Sequence, residues 1–355
     1  MKRESIENST GCKSGREGIL VIAPNWLGDA VMATPFLIYL RKFFPDLNIY
    51  LLCRNYVSEI FARNSAVDQM IIYEGKNPLK ITRLLWSVRP DKGWKYAFVL
   101  PNSFFSALIS FLSGSRRRIG YASEMRQTLL THAVEGGYRR DIHLSDIYVR
   151  LIDVVADRER GDVPMPVVVP PYNWQDTVRE VVGEGEFMVV SPGATYGGAK
   201  RWAIEGFKEV AYSIAKEKGY KVVVVGREDE YGIVAERFKM SGLNILNLAG
   251  KTDLKELLCV MRGASFVVGN DSGVVHISSA MGIPTVAIFG STSPLWTSPR
   301  GPYVRIVYKA LDCSPCFRRE CPRGDTRCLT EISTGDVLDV AYELLEEKEK
   351  VNEKG

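Results

Sequence analysis

The chain has 355 residues, 46% of them hydrophobic and 25% charged, with a formal net charge of +4. That length is ample for two cores, and the balance is that of a globular protein rather than a disordered or fibrous one. So small a positive excess gives no basis for a nucleic-acid partner, and no apolar run reaches the roughly 20 residues of a membrane span.

Residues 1–17, "MKRESIENSTGCKSGRE", are polar and lack the apolar core of an export signal. A disordered leader is expected there, and a cytosolic chain with reduced thiols. Strand-like runs and helical patterns then alternate. Ile19–Ala23 reads as a buried strand, followed by a helix over Asp29–Phe44 that Pro45 stops. Next come a strand at Asn48–Cys53, a helix near Val57–Arg63, a strand at Met70–Tyr73, a helix near Leu79–Val88 and a strand at Tyr96–Leu100. "FFSALISFL", Phe104–Leu112, is too short to span a bilayer and reads as a core helix or a shallow interfacial one.

"DVPMPVVVPPYNW", Asp162–Trp174, carries four prolines and reads as an extended connector. It places a domain boundary near Pro170, dividing residues 18–170 from 171–334. A second series follows: strands at Phe187–Ser191, Lys221–Gly226, "NILNL", Phe266–Gly269 and Thr285–Gly290, with helices near Ile204–Lys218, Tyr231–Met240 and Leu254–Met261. A helix from Gly335 to Glu349 and a charged tail close the chain, making 335–355 a terminal segment. Continuous apolar strands separated by helices predict α/β domains with parallel sheets covered on both faces. Such sheets bind ligands outside the carboxyl ends of their strands.

The chemistry-bearing motifs lie at those strand exits. In "PNWLGDAVMATP" Asp29 stands near a helix start, either as an N-cap or as a carboxylate acting as general base. No GxGxxG fingerprint accompanies it, which disfavours a dinucleotide. "SPGATYGGAKRW" brings glycines, Thr195 and Lys200 ahead of a helix, a pattern suited to phosphate oxygens. In "VGREDE", Glu228 is a candidate for a ribose hydroxyl or simply a charge favouring the following helix. "NDSGVVHISSA" places Asp271, Ser272 and Gly273 at a strand-to-helix turn, with His276 three residues further on. There the choice is between a helix cap with a core histidine and one wall of a diphosphate site.

Arg116, Arg117, Arg118, Arg139 and Arg140 form two basic groups that read as a solvated face or as contacts to an anionic acceptor. Cys313, Cys316, Cys321 and Cys328 have the spacing C-x2-C-x4-C-x6-C. Either a structural zinc site or reduced, reversibly oxidised thiols accounts for them, and the spacing differs from that of a standard zinc finger.

Taken in order, "PNWLGDAVMATP", "SPGATYGGAKRW", "NDSGVVHISSAMGIPTVAIFGSTSP" and "CSPCFRRECPRGDTRCL" resemble the ADP-heptose:lipopolysaccharide heptosyltransferases. The likeness runs from Ile19 to Leu345, and the cysteine-rich segment is most similar to the heptosyltransferase II branch. The resemblance implies the glycosyltransferase-B fold, two Rossmann-like doubly wound domains facing a cleft. It implies inverting transfer of L-glycero-D-manno-heptose from ADP-heptose to the first heptose of the lipopolysaccharide inner core, heptosyl-Kdo2-lipid A, with no metal required. Asp29 matches the family's proposed base. Thr195, Lys200, Glu228, Asp271, Ser272, Gly273 and His276 match its donor-binding positions. Some relatives carry Thr where this chain has Tyr196 and Ser272. The resemblance also implies work at the cytoplasmic face of the inner membrane by peripheral contact. Two alternatives remain at this level: a glycosyltransferase of the same fold with another sugar or acceptor, and a non-catalytic two-lobed binding protein.

Overall fold

A computed structural model of the chain describes residues 6–8, 15–136, 139–156, 161–238 and 242–352. The chain divides into two compact units, Met1–Val168 and Val169–Gly355. The first unit holds β1 (Ile6–Asn8), β2 (Gly18–Ile22), β3 (Asn48–Arg54), β4 (Gln69–Tyr73), β5 (Trp94–Val99), β6 (Arg117–Tyr121) and β7 (His132–Val134). They lie in the order β1-β4-β3-β2-β5-β6-β7. β1, inside the stretch expected to be a leader, pairs antiparallel with β4; the other pairings are parallel. Every residue of β2 is buried, as an unbroken apolar run covered on both faces requires.

The second unit holds β8 (Phe187–Ser191), β9 (Lys221–Val224), β10 (Ile245–Asn247), β11 (Phe266–Asn270), β12 (Thr285–Phe289) and β13 (Val304–Tyr308). All are parallel, in the order β10-β9-β8-β11-β12-β13. Here the chain builds outward from β8 to β10 and then returns to the other side of β8. The direction of winding reverses between β8 and β11, and ligands bind at such switch points. In the first unit the same reversal falls between β2 and β5. Gly269 lies opposite Ser191 across the second switch point, where a Cβ would stand 3.0 Å from the serine Cβ. Only glycine lets the two strand ends approach so closely.

The structure differs from the sequence expectation in identifiable places. The single helix expected over Asp29–Phe44 is two, Leu27–Met32 and Thr34–Phe43. Pro35 has no N–H and its ring opposes the preceding turn. The Thr34 hydroxyl instead donates to the Val31 carbonyl at 2.8 Å. β6, β7 and β13 were not foreseen. Arg117, Arg118 and Arg305 interrupt β6 and β13, and β13 is only half-buried at the sheet edge. The helices Leu144–Asp153 and Trp174–Val181 were also unforeseen. Phe104–Leu112 is helical: Ala107 and Ile109 face the core while Phe104 and Phe111 remain about half exposed. The terminal helix Thr334–Asn352 joins the second unit's core, where Val337, Ala341 and Leu344 pack with Phe207, Val210 and Ile214. Among the described residues no helix is long and apolar enough to cross a membrane.

Candidate active site

The second unit assembles its polar residues at the β8/β11 switch point. β8 ends at Ser191 and the following loop reaches the helix Ile204–Lys218 through a short turn at Gly198–Lys200. Asn270, fully buried at the end of β11, fixes this loop. Its carbonyl accepts from the Trp202 backbone N–H at 3.0 Å, and its amide donates to the Pro192 carbonyl at 2.7 Å. The loop thereby carries Lys200 to Asp271. Lys200 Nζ lies 2.5 Å from Asp271 Oδ2, with the two side chains only 12% and 4% exposed. Thr292, just beyond β12, donates its hydroxyl to the same oxygen at 2.5 Å. His276 Nε2 is 4.0 Å from Asp271 Oδ1.

This arrangement suits an anion. A buried carboxylate is tolerated because a cation and a hydroxyl compensate it. The ammonium has three donors and gives one to Asp271, which leaves capacity for phosphate oxygens. The helix Gly273–Ala280 starts beside Asp271, and its first N–H groups have no intrahelical acceptor. The capping expectation is corrected here: Ser272 is the N-cap by backbone, but no side chain caps the helix. Ser272 Oγ is buried with no hydrogen-bond partner among the described residues. Asp271 is committed to Lys200 and Thr292 instead.

Thr195 is exposed on the loop, as Glu228 is at the exit of β9. The carboxylate buried at that exit is Glu230, which the sequence reading passed over. Its Oε2 accepts from the Arg227 backbone N–H at 2.9 Å, whereas Oε1 has no hydrogen-bond donor and sees Arg201 only at 3.7 Å. Gly193 and Gly226 give it room, since a Cβ there would come within 2.1 Å and 2.6 Å of its carboxylate. Asn270 was missed as well, because the strand was read as ending at Gly269 and the polar turn as beginning its chemistry at Asp271. The signal for both lies in their position at strand exits.

In the first unit Asp29 is half-buried in the first turn of Leu27–Met32, beyond the end of β2 at that unit's switch point. It is not the N-cap; Trp26 is, without a side-chain cap bond. Of the five arginines, Arg116 pairs with Glu17 at 2.7 Å and Arg139 with Asp141 at 2.5 Å. The Asp141 carboxylate pushes the Arg139 guanidinium above its ordinary pKa. Arg118 donates to the carbonyls of Leu129 and Ser115 and lies over the Phe111 ring. Partial burial lowers its pKa from the ordinary guanidinium value. Arg117 and Arg140 are exposed.

The four clustered cysteines are free thiols. Among the described residues no group of three or more His, Cys, Asp or Glu side chains is arranged to hold a metal ion. Burial, with smaller contributions from Cys316, Cys313 and Cys321, pushes the Cys328 thiol up to about 11.

The whole chain has extensive relatives. Residues 84–326 match the family model of glycosyltransferase family 9 (heptosyltransferase). Lipopolysaccharide heptosyltransferase 2 of Salmonella typhimurium is 30% identical over 349 residues, covering 93% of this chain and 99% of its own. The Escherichia coli protein of the same name is 29% identical over 347 residues, again covering 93% and 99%. Among solved structures, E. coli ADP-heptose lps heptosyltransferase II superposes with a TM-score of 0.80 and 26% identity, covering 94% of this chain and 99% of that one. A glycosyltransferase family 9 structure from Veillonella parvula, 20% identical, shares the fold with a TM-score of 0.79, covering 96% and 100%. Two doubly wound units, phosphate-type loops at the second switch point and this breadth of likeness lead to one assignment: the chain belongs to glycosyltransferase family 9, the heptosyltransferases.

Proposed function

We propose that this enzyme transfers L-glycero-D-manno-heptose from ADP-heptose to the first heptose of the lipopolysaccharide inner core, with inversion. The observation that carries the proposal is the buried Lys200–Asp271 pair beside the open N-terminus of Gly273–Ala280. The remaining ammonium donors and the helix N–H groups offer hydrogen bonds to a departing diphosphate, and they sit in a chain alike over nearly its full length to proteins named lipopolysaccharide heptosyltransferase 2. In this reading the acceptor hydroxyl oxygen attacks the anomeric carbon as the bond from that carbon to the diphosphate oxygen breaks. Asp29 takes the hydroxyl proton. Lys200 and the N–H groups near Ser272 and Gly273 take up the charge growing on ADP, so transfer calls for no added metal.

Thr195 and His276 complete the diphosphate environment. Glu228 offers an exposed carboxylate to the ribose, and Glu230 behind it carries the oxygen that lacks a donor. Product formation with a panel of nucleotide sugars on one heptosylated acceptor tests the donor assignment. ADP-heptose is expected to be the preferred donor, and equal turnover of UDP-sugars would defeat it.

The acceptor is amphiphilic in this reading, and the enzyme contacts the cytoplasmic face of the inner membrane peripherally. Exposed aromatics and arginines support this. Trp86 and Phe111 are about half exposed, Arg89 stacks on Trp86, and Arg118 stacks on Phe111. Aromatic rings beside cations suit an anionic lipid interface. Arg116, Arg117, Arg139 and Arg140 extend the candidate acceptor contacts. Co-sedimentation with anionic vesicles is expected at low salt, and its absence at every salt concentration would remove the membrane contact.

A further inference from the structure

The cysteine-rich segment is the part of the chain that the transfer reaction leaves without a task. Residues 313–326 contain no helix or strand, so their shape depends on individual contacts. Those contacts converge on the loop that presents Lys200. The Tyr196 hydroxyl donates to the Phe317 carbonyl at 2.8 Å. The Ala199 N–H donates to the Arg319 carbonyl at 2.9 Å, and the Gly198 N–H donates to Glu320 Oε1 at 3.1 Å. The Arg319 guanidinium lies 5.5 Å from the centre of the Tyr196 ring, and Lys200 Nζ lies 4.9 Å from the same ring centre. Gly197 is wedged against the segment: a Cβ there would stand 2.2 Å from the Arg319 carbonyl oxygen.

The segment also grips the other side of the site. The Phe317 N–H donates to the Ser291 carbonyl at 2.7 Å, and Ser314 Oγ donates to the Gly290 carbonyl at 2.5 Å. Ser291 immediately precedes Thr292, which holds Asp271. Phe317 has a φ of +56°, a conformation that a bulky residue adopts only when its surroundings impose it. One short stretch thus ties the loop carrying Lys200 to the turn carrying Thr292, and both partners of Asp271 depend on it.

We infer that Phe317–Glu320 is a positioning clamp for the donor loop, so that the chemistry of the flanking Cys316 and Cys321 thiols and the binding of ADP at Lys200 are coupled. The inference rests on the assignment of that loop to the donor. Coupling between two ligands is reciprocal. A donor that fixes the loop fixes the clamp and shields its thiols. A bulky group on those thiols displaces the clamp and weakens donor binding. Cys316 and Cys321 are partly exposed, whereas Cys259 is buried far from reagent and serves as an internal reference.

The test is iodoacetamide labelling of the full-length enzyme, with and without saturating ADP, read at each cysteine by mass spectrometry. ADP binding is measured in parallel by calorimetry. ADP is expected to slow labelling of Cys316 and Cys321 severalfold. Tyr196→Phe removes one hydrogen bond to the clamp and keeps the ring. It is expected to raise the donor KM roughly two- to tenfold, to leave the acceptor KM and the melting temperature near wild type, and to lose most of the protection at saturating ADP. Gly197→Ala should do the same more strongly if it folds. ADP that binds with full affinity yet leaves labelling unchanged in the wild type would overturn the clamp. ADP that does not bind at all would overturn the donor assignment, and the clamp with it.

Discussion

Lys200 and Asp271 stand 71 residues apart in sequence, yet each was singled out because each follows a strand that ends in glycine-rich or polar chemistry. The sequence carried the composition of the two loops; it did not carry their contact. Removing Lys200 leaves Asp271 buried without its cation, held by the Thr292 hydroxyl and with His276 Nε2 4.0 Å away. Lys200→Met should therefore lower stability by about 3–5 kcal/mol and weaken ADP binding by roughly 10- to 100-fold. Because the two residues touch, Lys200→Met with Asp271→Asn should destabilise less than the sum of the single changes. Denaturant unfolding of the four proteins checks this, and strict additivity would speak against the pair. Asp29→Asn should fold normally and lose about 10²–10⁴-fold in kcat, the usual contribution of a general base. Near-normal turnover would remove Asp29 from that role.

Cys328 sets a different expectation. Its thiol is held at about 11 in the fold, against an ordinary value of 9.0. Between those values the unfolded chain has released a proton that the folded chain keeps, so stability falls as pH rises through the window. Cys328→Ala should flatten that alkaline decline in melting temperature, and an unchanged slope would show that another group governs it.

At the scale of elements, legibility followed burial. β8 and the helix Ile204–Lys218 were read with their observed bounds, because β8 is an unbroken buried run and the helix repeats its buried residues Phe207, Val210, Ala211, Ile214 and Ala215 at helical spacing. β6, next to the edge, and the edge strand β13 were missed, because their partly exposed residues include the arginines that break the pattern. The helix at Asp29 was read too long, because the apolar pattern runs on through Pro35, which sits in the first turn of the second helix, where proline is tolerated. That error matters chemically. The break after Met32 makes Asp29 part of a short helix of its own, close to its N-terminus. The helix Gly273–Ala280 shows the reverse case: its polar first residues look like caps and do not cap. Ser272→Ala loses no cap bond and should change stability by less than about 0.5 kcal/mol. If the hydroxyl serves the diphosphate, the same change raises the donor KM. A drop in stability without a change in donor KM would return Ser272 to a structural role.

For the whole molecule, the alternation of strand and helix announced two α/β units, and the winding order of each sheet fixed where ligand chemistry belongs. Lys200, Asp271, Ser272 and Gly273 fall at the second switch point, Glu228 at the exit of β9 beside it, and Asp29 at the first switch point. Donor identity and acceptor identity were not legible in spacing or periodicity; they enter through likeness to named relatives. The four cysteines illustrate the limit in the other direction. Their spacing suggested zinc, but the carbonyls of Phe317 and Arg319 between Cys316 and Cys321 bind the loop that carries Lys200, which no spacing rule reports. The most direct test of the account is a transfer assay with ADP-heptose on Kdo2-lipid A, with and without its first heptose. The account predicts one added heptose on the heptosylated acceptor and none on the bare one. Transfer to the bare acceptor, or to neither, would contradict it.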